Sequence, residues 1–164
     1  MTECPADERV FDHEKLFGNA VCVPELPQRI VSLSGVSTEA LVALGISPVG
    51  TLLQVIDDIE EYYPDYADLL VEIDDLGSPP NIEALTALDP DLIIGLTGLA
   101  SDFYRQLSQI APTVLFEFED SSAWKEASLF TADAVGEAEA LEQLLLEYEV
   151  ATDALQMRLT ESDI

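Results

Sequence analysis

The chain has 164 residues, 48% apolar and 24% charged, with 6 Lys plus Arg against 33 Asp plus Glu and a formal net charge of −27. A domain of this length buries roughly 70% of its unfolded surface, enough for a real core. So acidic a surface repels phosphate backbones and anionic bilayers, which excludes nucleic acid and membrane lipid as expected partners.

In chain order, Arg9–His13 and Asn19–Val23 predict a hairpin with Gly18 near its turn. Cys4 and Cys22 flank it. Their spacing fits no zinc or redox motif. Two free thiols are the alternative, but the hairpin brings the pair within reach, so a disulfide is expected in an oxidising compartment. After the connector Pro24–Pro27, Arg29–Leu33 reads as a short β-branched strand. A helix follows over Ser37–Leu44, capped by Ser37 and closed by Gly45. Ser47–Leu53 reads as a second strand. Asp57–Leu70, acidic and rich in tyrosine around Pro64, reads as a loop with a short helix, and Leu70–Ile73 as a short strand. Gly77–Pro80 is a turn. Asn81 caps a helix over Ile82–Leu88 that stops before Pro90. Asp91–Gly95 is a buried-type strand, Asp102–Leu107 a helix and Thr113–Phe116 the last strand.

From Ala123 the pattern is helical, broken once at Gly136. Residues 137–159 carry Leu141, Leu144, Leu145, Tyr148, Ala151, Leu155 and Leu159 at helical spacing. The fold class expected is α/β: a mainly parallel open sheet with helices on both faces, an N-terminal β-hairpin and a long C-terminal helix. No run of about 18 apolar residues occurs, so no transmembrane helix is expected, and the polar start is not expected to be a signal peptide.

Ligands of open α/β sheets sit beyond the carboxyl ends of the strands. Those ends hold Ser34 and Gly35, Gly77 and Ser78, and Thr97 through Leu99. Glycines there let a ligand approach the backbone, or they simply make tight turns. Tyr104 and Phe103 are candidate walls of the site, one of them expected in the core. Trp124 either lines the site or anchors a helix. Arg105 suits an anionic ligand or pairs with an acid on its own helix. His13 stands alone, so bare Zn or Mn capture is not expected and no metal site is assigned. No nucleophile elbow, P-loop or dinucleotide fingerprint is present. The carboxylates read as a solvated exterior, without an EF-hand loop.

Four stretches, Pro27–Leu33, Glu39–Gly50, Asn81–Ile94 and Leu107–Val114, together resemble the periplasmic binding proteins of iron–siderophore, haem and cobalamin ABC importers. The likeness runs from about Arg9 to the C-terminus. It implies two α/β lobes joined by one long helix, with ligand held between them. Residues 1–136 then form the N-terminal lobe, led by the hairpin of residues 1–24. Residues 137–164 begin the interlobe helix, and the second lobe is expected to lie outside this sequence. The resemblance implies a non-enzymatic, extracytoplasmic receptor, periplasmic and held at the membrane through its transporter, monomeric and without a cofactor. Its ligand would be a ferric siderophore or other metal complex. Hydroxamate or citrate types come first and cobalamin or haem second; similar siderophore binders often carry arginine where Leu99 stands, a departure that counts against anionic catecholate ligands. Glu83, in an Asn-x-Glu setting at a helix start, corresponds to a carboxylate that docks on permease arginines; helix-dipole stabilisation is its other use. The competing class is a small acidic enzyme or receiver-like domain using Mg²⁺. A receiver needs an acidic pair after an early strand, where this chain has Ser34 and Gly35, and Lys125 comes too late for the usual phosphate lysine.

Overall fold

The structure is a computed structural model that describes residues 3–162; of these, the side chains of Leu53 and Leu99 are left undescribed. Strands β1 (Glu8–Phe11) and β2 (Val21–Pro24) pair antiparallel, with Val10 opposite Cys22. Cys4 and Cys22 are bridged, with their Cα atoms 5.5 Å apart. The expected hairpin and its disulfide are both present. Its connection is longer than a tight turn: Leu16 bridges to Phe116, while Phe17 donates to the Leu115 carbonyl and Glu117 to that of Lys15.

The main sheet is parallel and has the order β5-β4-β3-β6-β7. Its strands are β3 (Ile30–Leu33), β4 (Gly50–Thr51), β5 (Asp74–Asp75), β6 (Leu92–Leu96) and β7 (Thr113–Phe116). The central strands β3 and β6 are buried throughout, as their predominantly apolar runs predict, with Ser32 the polar residue of β3. Alternate residues face opposite ways. Val31, Leu33, Ile93 and Leu115 join a core with Ile59, Leu85 and Leu107. Ile30, Leu92, Ile94, Val114 and Phe116 join a second core with Phe11, Leu41 and Phe130.

The first face is covered by α2 (Leu53–Tyr62), α4 (Ile82–Ala87) and α6 (Tyr104–Ile110), with the short α3 (Ala67–Leu70) and α5 (Thr97–Ala100) in the connections. The hairpin, α1 (Gly35–Ala43) and α7 (Trp124–Ala134) cover the second. Leu141 of α8 (Ala138–Ser162) packs with Ala132 and Ala40, which lays the foot of this 25-residue helix against α7 and α1. Beyond that foot its apolar side chains, including Val150, Leu155, Met157 and Leu159, are exposed.

Three expectations are corrected. The α1 cap is Ser34, whose Oγ accepts from the Ser37 N–H, so Ser37 lies inside the helix. The second strand spans only Gly50–Thr51, and α2 begins at Leu53, within the segment read as strand. Leu70–Ile73 is the end of a helical turn: Leu70 and Ile73 are buried while Val71 is 79% exposed, an i, i+3 pattern rather than strand alternation. The strand there is Asp74–Asp75, fixed by its pairing with Gly50 and Thr51.

Candidate ligand-binding site at the strand ends

The connections β3–α1–β4 and β4–α2–β5 step outward in one direction, and the chain then returns to place β6 on the other side of β3. The topological switch point is therefore between β3 and β6. The chain leaves these two strands through Ser34–Gly35 and Thr97–Gly98. In open α/β sheets this is where ligands enter.

At both exits the backbone is accessible. A Cβ added to Gly35 or Gly98 would meet nothing within 4 Å. Ser34 itself is fully buried, and its hydroxyl serves the helix cap and a bond of 2.7 Å to the Ser37 hydroxyl. The half-buried Thr97 accepts from the Phe118 N–H at 3.4 Å, tying the β6 exit to the β7 exit. The β5 exit turns at Gly77, whose φ of +74° is the left-handed region glycine favours, and continues through the cis Ser78–Pro79 bond. Asp75 accepts from the Gly77 N–H at 2.7 Å and closes that turn. A concavity of about 200 Å³ opens between these exits, with Leu33 and Leu52 at its floor and Ser78, Pro79, Gly98 and Ala100 around it.

The remaining candidates lie elsewhere. Tyr104 packs edge-to-face on Phe17, with ring centroids 5.2 Å apart, and its hydroxyl crowds Gly18 beneath the hairpin connection. Phe103 is half-buried against the same core. Arg105 is exposed on α6, and the ion pairs found among the described residues do not include it. The Leu99 side chain lies outside the described residues. Trp124 is 38% exposed and packs on Tyr148 of α8. His13 accepts from the Lys15 N–H through Nδ1, stacks with Phe11 and meets Phe130 edge-to-face, a structural role. Among the described residues no three His, Cys, Asp or Glu side chains converge on a metal-sized site.

The floor of the switch point holds a feature the sequence does not mark. The hydroxyls of Ser32, Thr38 and Thr51 are all buried. Thr38 Oγ1 lies 2.8 Å from Ser32 Oγ, 2.8 Å from the Ser34 carbonyl and 3.0 Å from Thr51 Oγ1. One donor and two lone pairs match those three contacts. The network pins β3, β4 and the start of α1 together beneath the Ser34–Gly35 exit. Only the register of the sheet brings Thr38 and Thr51 together, so neither stands out in the sequence.

Glu83 is exposed in the first turn of α4, which follows the β5 exit. Asn81 Oδ1 accepts from the N–H groups of Glu83 and Ala84 at 3.0 and 3.1 Å. Leu85 is fully buried, with Ile82 and Leu88 partly buried beside it.

A family model described as Periplasmic binding protein matches residues 30–163. The chain is 36% identical over 146 residues to the probable siderophore-binding lipoprotein YfiY of Bacillus subtilis, covering 87% of this chain and 43% of that protein. It is 32% identical over 127 residues to the iron(3+)-hydroxamate-binding protein FhuD of Escherichia coli, covering 75% and 42%. The crystal structure of Staphylococcus aureus SirA complexed with staphyloferrin B superposes with a TM-score of 0.77 at 27% identity, over 94% of this chain and 51% of that one. The chain thus spans about half the length of the proteins it matches or less.

Proposed function

Because the chain belongs to the periplasmic binding protein family, we propose that it is the N-terminal, ligand-binding lobe of an extracytoplasmic receptor. The receptor hands a ferric siderophore or related metal complex to an ABC importer permease. The observation that carries this reading is the switch point between β3 and β6, with open glycine backbone at both exits. The names of the relatives, which bind siderophores or ferric hydroxamate, supply the ligand class. The family is one of binding proteins, which favours this reading over a Mg²⁺-dependent enzyme.

On this reading residues 1–136 are the lobe and 137–164 begin the helix that joins it to a second one. The exposed apolar side chains of α8 beyond Tyr148 support that division. Ser34, Gly35, Gly77, Ser78, Thr97 and Leu99 belong to the ligand face, approached mainly through backbone. Tyr104 and Arg105 stand further out on α6, and Arg105 is the cation available to an anionic ligand there. Glu83 is the permease-docking carboxylate, the receptor works as a monomer, and it is held at the membrane through its transporter.

The test is calorimetric titration of ferric desferrioxamine and ferric citrate. One lobe offers half of a closed cleft, and each lost ~1.4 kcal/mol weakens binding about tenfold. The 164-residue chain should therefore bind more weakly than micromolar, and a longer receptor that includes a second lobe far more tightly. Submicromolar affinity in the single lobe contradicts the shared cleft. No binding by the two-lobed receptor to any ferric complex overturns the ligand class.

A further inference from the structure

A second concavity, of about 400 Å³, runs along the outer side of α1 between α8 and the end of α2. It shares no lining residue with the one at the strand ends. Its size is that of a small-molecule site. Aliphatic side chains of α1 and α8 form its base. Its walls carry four aromatic rings, Tyr63 and Tyr66 on one side and Trp124 and Tyr148 on the other.

Among the described lining residues Glu39 is the only carboxylate. It takes part in none of the hydrogen bonds or ion pairs found among the described side chains. Partial burial pushes its carboxyl above the ordinary value, and Asp58 nearby adds to that. A carboxylate so placed gains from a counter-cation with an apolar body. The aromatic wall favours the same kind of guest, because ring faces attract cations. Two of these rings already hold a cation from outside the groove, which Lys125 does not line. Lys125 Nζ lies 5.7 Å from the Trp124 centroid and 5.6 Å from that of Tyr148, held there by Glu149 at 2.9 Å. The net charge of −27 concentrates small cations around the whole molecule.

We propose that this groove is a binding site for a small organic ammonium ion, with Glu39 as the counter-charge and the Tyr63, Tyr66, Trp124 and Tyr148 rings as its aromatic cage. The apolar part of the guest lies on the aliphatic base between α1 and α8. This site is independent of the ferric-complex reading, and either can fail without the other.

Trp124 is the only tryptophan of the chain, so its fluorescence reports directly on the groove. The full chain is titrated with benzyltrimethylammonium, and with benzyl alcohol as the uncharged comparison. A saturable change is expected with the cation, at an affinity at least about tenfold above that of the alcohol, the size of a partly desolvated ion pair with cation–π support. Glu39→Gln should weaken the cation about tenfold and leave the alcohol unchanged, while Glu117→Gln, which removes an equal charge outside the groove, should change neither. Circular dichroism and thermal melting check that each variant is folded. A non-saturating response, equal binding of cation and alcohol, or equal losses in the Glu39 and Glu117 variants would each overturn the site.

Discussion

The hydroxyl of Thr38 on α1 lies 3.0 Å from that of Thr51 on β4, out of reach of solvent. Since Thr38 also bonds Ser32 Oγ and the Ser34 carbonyl, one side chain joins three elements under the β3 exit. Thr38→Val keeps the shape and removes the hydroxyl, leaving buried partners unsatisfied. The expected cost is about 1–3 kcal/mol by urea denaturation, and Thr38→Ser, which keeps the hydroxyl, should cost less. Equal stability of the Val variant and the parent would show that the network contributes nothing net.

The Cys4–Cys22 bridge closes a loop with a sequence separation of 18. On the chain-entropy account its loss costs roughly 3 kcal/mol. A Cys4→Ser, Cys22→Ser double variant should unfold at correspondingly lower urea. The oxidised parent should yield no free thiol when denatured, and detection of two thiols would contradict the pairing.

Glu39 carries the pH prediction. Its folded carboxyl is raised above the ordinary 4.5, first by burial and then by Asp58. The native state therefore holds this proton more tightly than the unfolded state, and the contribution is lost as pH rises through the folded value. Glu39→Gln should raise the melting temperature near about pH 7, with the gain shrinking to nothing below about pH 4. A variant that melts lower than the parent at neutral pH would mean that Glu39 has a stabilising partner.

Glu83 projects from the first turn of α4 while Leu85 beneath it is fully buried. Glu83→Ala should change folding stability by no more than about 0.5 kcal/mol, as at other exposed sites. In a complete receptor it should slow permease association and leave ferric-complex affinity unchanged, because rim charges act mainly on encounter rate. Loss of ligand binding or unfolding in that variant would remove the docking role.

Much of the fold is legible in the sequence wherever burial on both faces writes a continuous apolar run. Leu92–Leu96 is such a run, and Ile30–Leu33 and Thr113–Phe116 depart from it only at the buried hydroxyl residues Ser32 and Thr113. Asn81 and Gly45 mark helix ends because each supplies what a terminus lacks: an acceptor for free N–H groups at Asn81, and a left-handed residue, with φ +74°, at Gly45. The edge strand β5 is not legible, since Asp74 and Asp75 are exposed and only backbone pairing makes them strand. The α1 cap expected at Ser37 falls instead on Ser34, because the helix starts directly where β3 ends. The strand-end glycines were readable as an exit, but the hydroxyl floor and the groove along α1 depend on which helices pack together. No local pattern encodes that.

The two borders of the main sheet also bear on how this protein avoids polymerising. A bare parallel border is a template for another chain's strand. Here one border is a strand of two residues, both aspartates with exposed side chains. An incoming strand would meet adjacent negative charges and almost no backbone ladder. The other border is capped from within at the end of β7, where Phe17 takes up the Leu115 carbonyl and Lys15 the Glu117 N–H on either side of the Leu16–Phe116 bridge. The hairpin connection thus works as a stopper against edge-to-edge growth, and charge does the same work on the opposite side.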